Sequence, residues 1–135
     1  MYKIVETEID SDYSKSLYAM LFGEWKDMEA FELTKFGLRI PRPMVVLENN
    51  QVIGGASFTR YQEPAGDKIA VWLNALYVRS ESRNQGIATA LIRASQSVAR
   101  NLYALTDVAS LYTKAGWKIV KTDEYGTIVK QVEIT

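Results

Sequence analysis

The sequence predicts an α/β domain of the α+β kind over residues 1–135. Its sheet is mixed and mostly antiparallel, flanked by helices, in the order β-α-α-β-β-β-α-β-α-β-β. Three observations carry this. Lys68 to Val78 is an apolar run with large residues on both faces, which marks a central strand covered on two sides. From Leu73 to Leu91 that run passes through a polar, glycine-bearing loop into a helical pattern. Hairpin signals stand on either side, at Asn49-Asn50 and at Glu124-Tyr125-Gly126.

Tyr2 to Thr7 alternates weakly and reads as a first strand. Ser11 and Asp12 are good N-caps, and Tyr13, Leu17, Leu21 and Trp25 recur behind them at helical spacing. Gly23 ends or loosens that helix. Asp27 can cap a second helix carrying Met28, Phe31, Phe36 and Leu38, stopped by Pro41 and Pro43. Met44 to Leu47 and Val52 to Arg60 are strands joined by a tight turn at the two asparagines. Gly54-Gly55 within the second strand suggests a bulge or the close approach of another group.

After the loop Glu63 to Asp67, the central strand places Ile69, Val71, Leu73, Ala75 and Tyr77 on one face. Ala70, Trp72, Leu76 and Val78 fall on the other. Gln85 to Asn101 is predicted helical, with Ile87, Leu91, Ala94 and Val98 as its buried stripe. Leu102 to Thr106 is a short strand. Asp107 is placed to cap a last helix holding Val108, Leu111 and Tyr112 and ended by Gly116. Trp117 to Lys121 and Thr127 to Ile134 close the sheet.

Composition narrows the function. Sixteen basic and sixteen acidic residues cancel. A large nucleic-acid partner is not expected, because binders of that kind carry a basic excess to neutralise phosphates. No Cys is present, so a disulfide framework, a thiolate nucleophile and a Cys-ligated zinc site are out. No His is present either, which removes the commonest general base and metal ligand; no metal is expected. The first residues lack the apolar core of a signal peptide, and no apolar run nears the roughly 20 residues that span a bilayer. The expectation is a cytoplasmic protein without a membrane partner.

The chemistry concentrates at Leu73–Leu91. The first turn of a helix leaves backbone N–H groups without partners, and the helix dipole adds partial positive charge there. A strand feeding such a helix through a glycine loop suits phosphate groups. Val78 to Ala88 contains Arg83, Gly86 and Ala88 in the spacing Arg, two residues, Gly, one residue, Ala. This resembles the acetyl-CoA signature of the GNAT superfamily of N-acetyltransferases. Leu111-Tyr112 to Gly116-Trp117 resembles the second signature of that superfamily, an aromatic-rich helix ending in Gly and an aromatic. Together the two cover about Ile69 to Ile119, in the look of small single-domain bacterial-type members. Ser80 and Asn84 depart from the family, which often has Pro and Gly there; Asn still tolerates the left-handed conformation.

The resemblance implies acetyl-CoA as co-substrate and direct transfer of its acetyl group to a primary amine in a ternary complex. Backbone groups of Asn84, Gln85, Gly86, Ile87, Ala88 and Thr89 would hold the pyrophosphate, with Arg83 adding charge. The edge formed by Leu76, Tyr77 and Val78 would pair with the pantetheine arm where two neighbouring strands splay. A backbone N–H near Leu76 would stabilise the developing oxyanion. Tyr112 would be the general acid that protonates the departing thiolate, a thiol of pKa about 8.5 facing a phenol of about 10.

The base stays open. Ile69 to Val78 lacks the carboxylate that many relatives place there, leaving Asp107, Glu63, Asp67 or a water relay. Glu24, Asp27, Glu29 and Glu32 lie in the region that usually walls the acceptor site, where they could draw a cationic amine or simply be solvated. Trp25, Phe31 and Phe36 read as packing residues. Arg79 and Lys114 could reach the 3′-phosphate of CoA, although surface solvation explains them as well. The acceptor is a small-molecule or peptide amine, and a homodimer is implied by resemblance only. The competing reading is a silent CoA-binding or sensory module on the same fold.

Overall fold

A computed structural model describes residues 1–132. Strand β1 (Lys3–Glu6) leads into helix α1 (Asp12–Glu24), whose N-cap is Ser11: its side chain accepts from the Ser14 N–H. Leu17 and Leu21 are fully buried under α1, as the helical spacing requires. The two ends of that spacing are not. Tyr13 and Trp25 are 37% and 40% exposed, and Ser14 is buried instead.

The predicted second helix is absent. Its place is taken by a small hairpin of β2 (Thr34–Lys35) and β3 (Leu38–Arg39) around Phe36 and Gly37. Both turn residues have positive φ, 56° and 75°, the backbone that matches a two-residue hairpin loop. Gly37 costs a helix about 1 kcal/mol relative to Ala but suits this turn. Asp27 therefore caps no helix.

The sheet has seven strands in the order β1-β4-β5-β6-β7-β9-β8. Besides β1 these are β4 (Met44–Glu48), β5 (Gln51–Gln62), β6 (Ile69–Val78), β7 (Tyr103–Thr106), β8 (Lys118–Asp123) and β9 (Gly126–Lys130). Every neighbouring pair is antiparallel except β6 with β7. Asn49 and Asn50 turn β4 into β5 at φ 53° and 62°, as their residue type favours. Helix α2 (Ile87–Ser95) and helix α3 (Ala109–Lys114) cover the face opposite α1.

Helix α2 is shorter than the predicted span to Asn101. The N–H groups of Ser97 and Val98 reach back three residues, the Ser97 hydroxyl bonds the Ala94 carbonyl, and Asn101 turns to φ 56°. Such local side-chain bonds compete with the helix ladder. Val98 still packs on the core, but from outside the helix.

Two irregularities shape the sheet. Gly54 and Gly55 lie where neighbouring backbones crowd in. A Cβ on Gly54 would collide with the Tyr77 carbonyl and stand 3.0 Å from Val78 Cα. The β4–β5 register also slips beside them, leaving Ile53 as an extra residue, so the bulge and the close approach both occur. The second slip lies between β5 and β6. Ser57 pairs with Ala75 and Phe58 with Leu73, which leaves Asn74 unpaired.

This bulge corrects the predicted faces. Val71 and Leu73 join Leu76 and Val78 on the α2 side, while Ala75 and Tyr77 move to the α1 side. One extra residue reverses the alternation of all that follow. No helix among the described residues is long and apolar enough to cross a membrane.

Candidate active site

The loop after β6 is built by its own residues. Arg79 starts a single 3-10 turn, Ser80–Ser82, and donates from Nε to the buried Ser82 hydroxyl at 2.8 Å. Its guanidinium also faces Glu48 at 3.6 Å. The chain then takes positive φ twice, at Asn84 (65°) and at Gly86 (79°). Gly86 is the N-cap of α2, and its carbonyl accepts from Ala90 N–H at 3.0 Å. The N–H groups of Ile87, Ala88 and Thr89 thus begin the helix with no intrahelical acceptor. A Cβ placed on Gly86 would meet open space, so only the backbone conformation demands glycine there.

Arg83 lines the cleft and also makes a structural contact of its own. Its Nε donates to the Val78 carbonyl at 2.8 Å, and its guanidinium lies over the Tyr77 ring at 5.4 Å. It ties the loop back onto the end of β6. The same contact uses one of the two lone pairs of the Val78 carbonyl.

Across the loop, β6 and β7 pair only at Trp72 and Tyr103. Beyond this point the two strands diverge and leave a seam along Leu73–Val78. The seam opens into a cleft of about 930 Å³. Its walls are β6 from Leu73 to Val78, the loop and first turn of α2, the segment Leu105–Val108, and Leu111 and Tyr112 of α3. Of the predicted site residues, Leu76, Tyr77, Val78, Arg83, Asn84, Gly86, Ile87, Ala88, Thr89, Asp107 and Tyr112 all line it. Gln85 does not, nor do Arg79, Lys114, Glu63 or Asp67.

Tyr112 is 5% exposed, with its ring against Trp117 at 5.0 Å between centroids. Leu111, its neighbour, is only partly buried. Burial pushes the Tyr112 hydroxyl from an ordinary 10.0 up to about 12. It is a neutral phenol throughout the physiological range, a hydrogen-bond donor and a weaker acid than an exposed tyrosine. Asp107 lies exposed in the cleft wall and caps nothing: the N-cap of α3 is Val108, whose N–H bonds the Thr106 hydroxyl at 2.9 Å. No side chain caps α3; the Thr106 hydroxyl closes a local turn just ahead of it.

The outer wall includes Glu24, which the sequence placed on the acceptor side, together with Trp25 and Tyr125, which it did not assign to the site. Glu24 and Trp25 reach the cleft from the end of α1, and Tyr125 reaches it from the β8–β9 turn. Of the four acidic residues on the acceptor side, Glu24 alone lines it; Asp27, Glu29 and Glu32 do not. Tyr125, Leu105 and Val108 are more than half exposed, so this mouth is apolar as well as acidic. The available signal for Trp25 was its place next to the helix end, where the chain leaves the helix at φ −125°.

A family model described as the acetyltransferase (GNAT) family matches residues 5–117. The chain belongs to that family. Several solved structures share the GNAT fold. One is a protein from Pyrococcus horikoshii, 13% identical with TM-score 0.71 and all of both chains covered. Another is the PaiA N-acetyltransferase of Thermoplasma acidophilum in complex with coenzyme A, 14% identical with TM-score 0.65, covering 97% of this chain and 98% of that one. The third is the GNAT family N-acetyltransferase YhbS of Escherichia coli in complex with CoA. It is 18% identical with TM-score 0.63, covering 96% of this chain and 79% of that one. A search of curated proteins found no match. Family membership makes acetyl transfer the general activity. Among the described residues no group of three or more acidic residues is placed to hold a metal ion.

Proposed function

We propose that this GNAT protein is an acetyl-CoA-dependent N-acetyltransferase that passes the acetyl group directly to a primary amine. One observation carries the reading. The open seam along β6, the free N–H groups at the start of α2 and the largely buried Tyr112 all border one cleft. The fit to a CoA-type donor rests on the left-handed Gly86, with free space beside it, and on the unpaired first turn of α2. A pyrophosphate would sit against Ile87, Ala88 and Thr89. The pantetheine amides would add to the free edge of β6, whose Val78 carbonyl already accepts one bond from Arg83.

The amine nitrogen attacks the thioester carbonyl, the C–N bond forms, and the C–S bond breaks. A β6 backbone N–H near Leu76 would take up the negative charge that develops on oxygen. Tyr112 gives its proton to the departing sulfur and regains one from solvent. The amine loses its proton to water or, through water, to Asp107 or Glu24, the two carboxylates lining the cleft.

Glu24 would also attract the ammonium form of the acceptor. The apolar residues around it, Trp25, Leu105, Val108 and Tyr125, favour an amine on an apolar body over a sugar bearing many charges.

The test has two parts. Coenzyme A should raise the melting temperature, because a ligand of the native state must; no shift at millimolar CoA would remove the donor site. Acetyl-CoA turnover, read as free thiol, is then measured with arylalkylamines, alkylamines, amino acids and an aminoglycoside. Stabilisation without turnover on any acceptor would leave a CoA-binding module in place of an enzyme.

A further inference from the structure

A second concave site lies at the other end of β6 and of the α2 segment, where the acetyl-transfer reading assigns nothing. It is a groove of about 490 Å³. Arg39, Arg42, Arg60 and Arg100 line it, against a single carboxylate, Glu6. The chain has seven arginines and no net charge, so four in one groove is a strong local excess. Arg42 is paired, to Glu8 at 3.1 Å. Arg39, Arg60 and Arg100 have no carboxylate within 4.0 Å among the described residues.

The arginines are set in place by different parts of the chain. Arg60 comes from β5, and its Nε donates to the Arg39 carbonyl at 2.8 Å, which holds it beside the end of β3. Arg42 stands between Pro41 and Pro43, whose rings fix the backbone. Arg100 follows α2. The carbonyl end of that helix favours a nearby cation and would account for Arg100 alone. Gathering like charges from three separate segments is unfavourable unless an anion offsets it. The floor between them, Ile40 and Val71 among it, is apolar.

We propose that this groove binds a small phosphate-bearing molecule with two or more negative charges and a planar or apolar part. Guanidinium groups match phosphate oxygens in fork geometry, and several around one concavity suit a polyphosphate better than a single carboxylate. A volume near 490 Å³ falls in the range of small-molecule sites. This site is separate from the donor cleft, which uses the opposite end of the same strand and helix.

The test is calorimetric titration of tripolyphosphate, and separately of ATP, into the wild-type protein and into a variant of the groove alone, so that binding here is told from binding in the donor cleft. Both should bind at low salt and weaken as salt is added, with ATP tighter because its base can cover the apolar floor. An Arg39→Ala/Arg100→Ala variant changes two exposed residues. It should bind both ligands at least about tenfold more weakly, as expected on removing two charge-assisted contacts, while keeping the wild-type melting temperature with CoA. Absence of binding to the wild type, or equal binding to the variant, would overturn the proposal. So would binding of an oligoglutamate peptide or an RNA oligomer with no binding of tripolyphosphate. Equal affinity for ATP and tripolyphosphate would overturn the role of the floor.

Discussion

Replacing Tyr112 by Phe removes one oxygen and leaves the ring in place against Trp117. The ring is buried, so packing should be kept and the fold should stand. Positioned general acids contribute about 10² to 10⁴ in rate, so kcat should fall by roughly that factor with KM for acetyl-CoA little changed. The structure also gives a second, independent magnitude. The hydroxyl titrates near 10.0 when exposed and at about 12 in the fold. Below pH 10 it is protonated in both states and stability is unaffected. As pH rises from 10 towards 12, the unfolded chain loses this proton first and the folded state loses stability. Two pH units correspond to about 3 kcal/mol at most. The Phe variant lacks this loss. Thiol-release kinetics at neutral pH and urea unfolding between pH 9 and 11.5 measure the two effects. Wild-type turnover by the variant on a good acceptor would refute the acid role. Parallel alkaline stability curves would refute the burial argument.

The remaining predictions concern the loop, the sheet and the mouth of the cleft. Gly86→Ala meets open space but must hold a positive φ, so it should cost about 1–2 kcal/mol in urea unfolding. Gly54→Ala drives a Cβ into the backbone of Tyr77 and Val78, which cannot move aside as a side chain would. It should cost more than Gly86→Ala, about 2–4 kcal/mol, and weaken CoA stabilisation by shifting the end of β6; equal costs would show that the strand yields. Glu24→Gln keeps size and removes charge. It should raise KM for a cationic amine several-fold while leaving the thermal shift with CoA unchanged, and an unchanged KM would place the amine elsewhere.

Much of the donor end was legible in the sequence because its causes are local. The left-handed Asn84 and Gly86, the start of α2 and the Asn49-Asn50 turn each depend on a few adjacent residues. The hairpin β2–β3 was misread because Met28, Phe31, Phe36 and Leu38 imitate a helical stripe. Gly37 in their midst was the contrary signal, and tertiary context let it prevail. Asp107 was misread because α3 begins only after Val108 and takes no side-chain cap, the Thr106 hydroxyl closing a local turn ahead of it.

By itself, the sequence determined the strand, loop and helix from Leu73 to Leu91, since the sign of φ and the free first turn of a helix are properties of neighbouring residues. Only the tertiary structure decided which faces of β6 meet the cleft. The extra residue Asn74 is defined by pairing with β5, and no alternation within β6 alone reveals it. The same holds for the mouth of the cleft. Glu24, Trp25 and Tyr125 come together across about a hundred positions of chain, because α1 and the β8–β9 turn pack at the same end of one sheet.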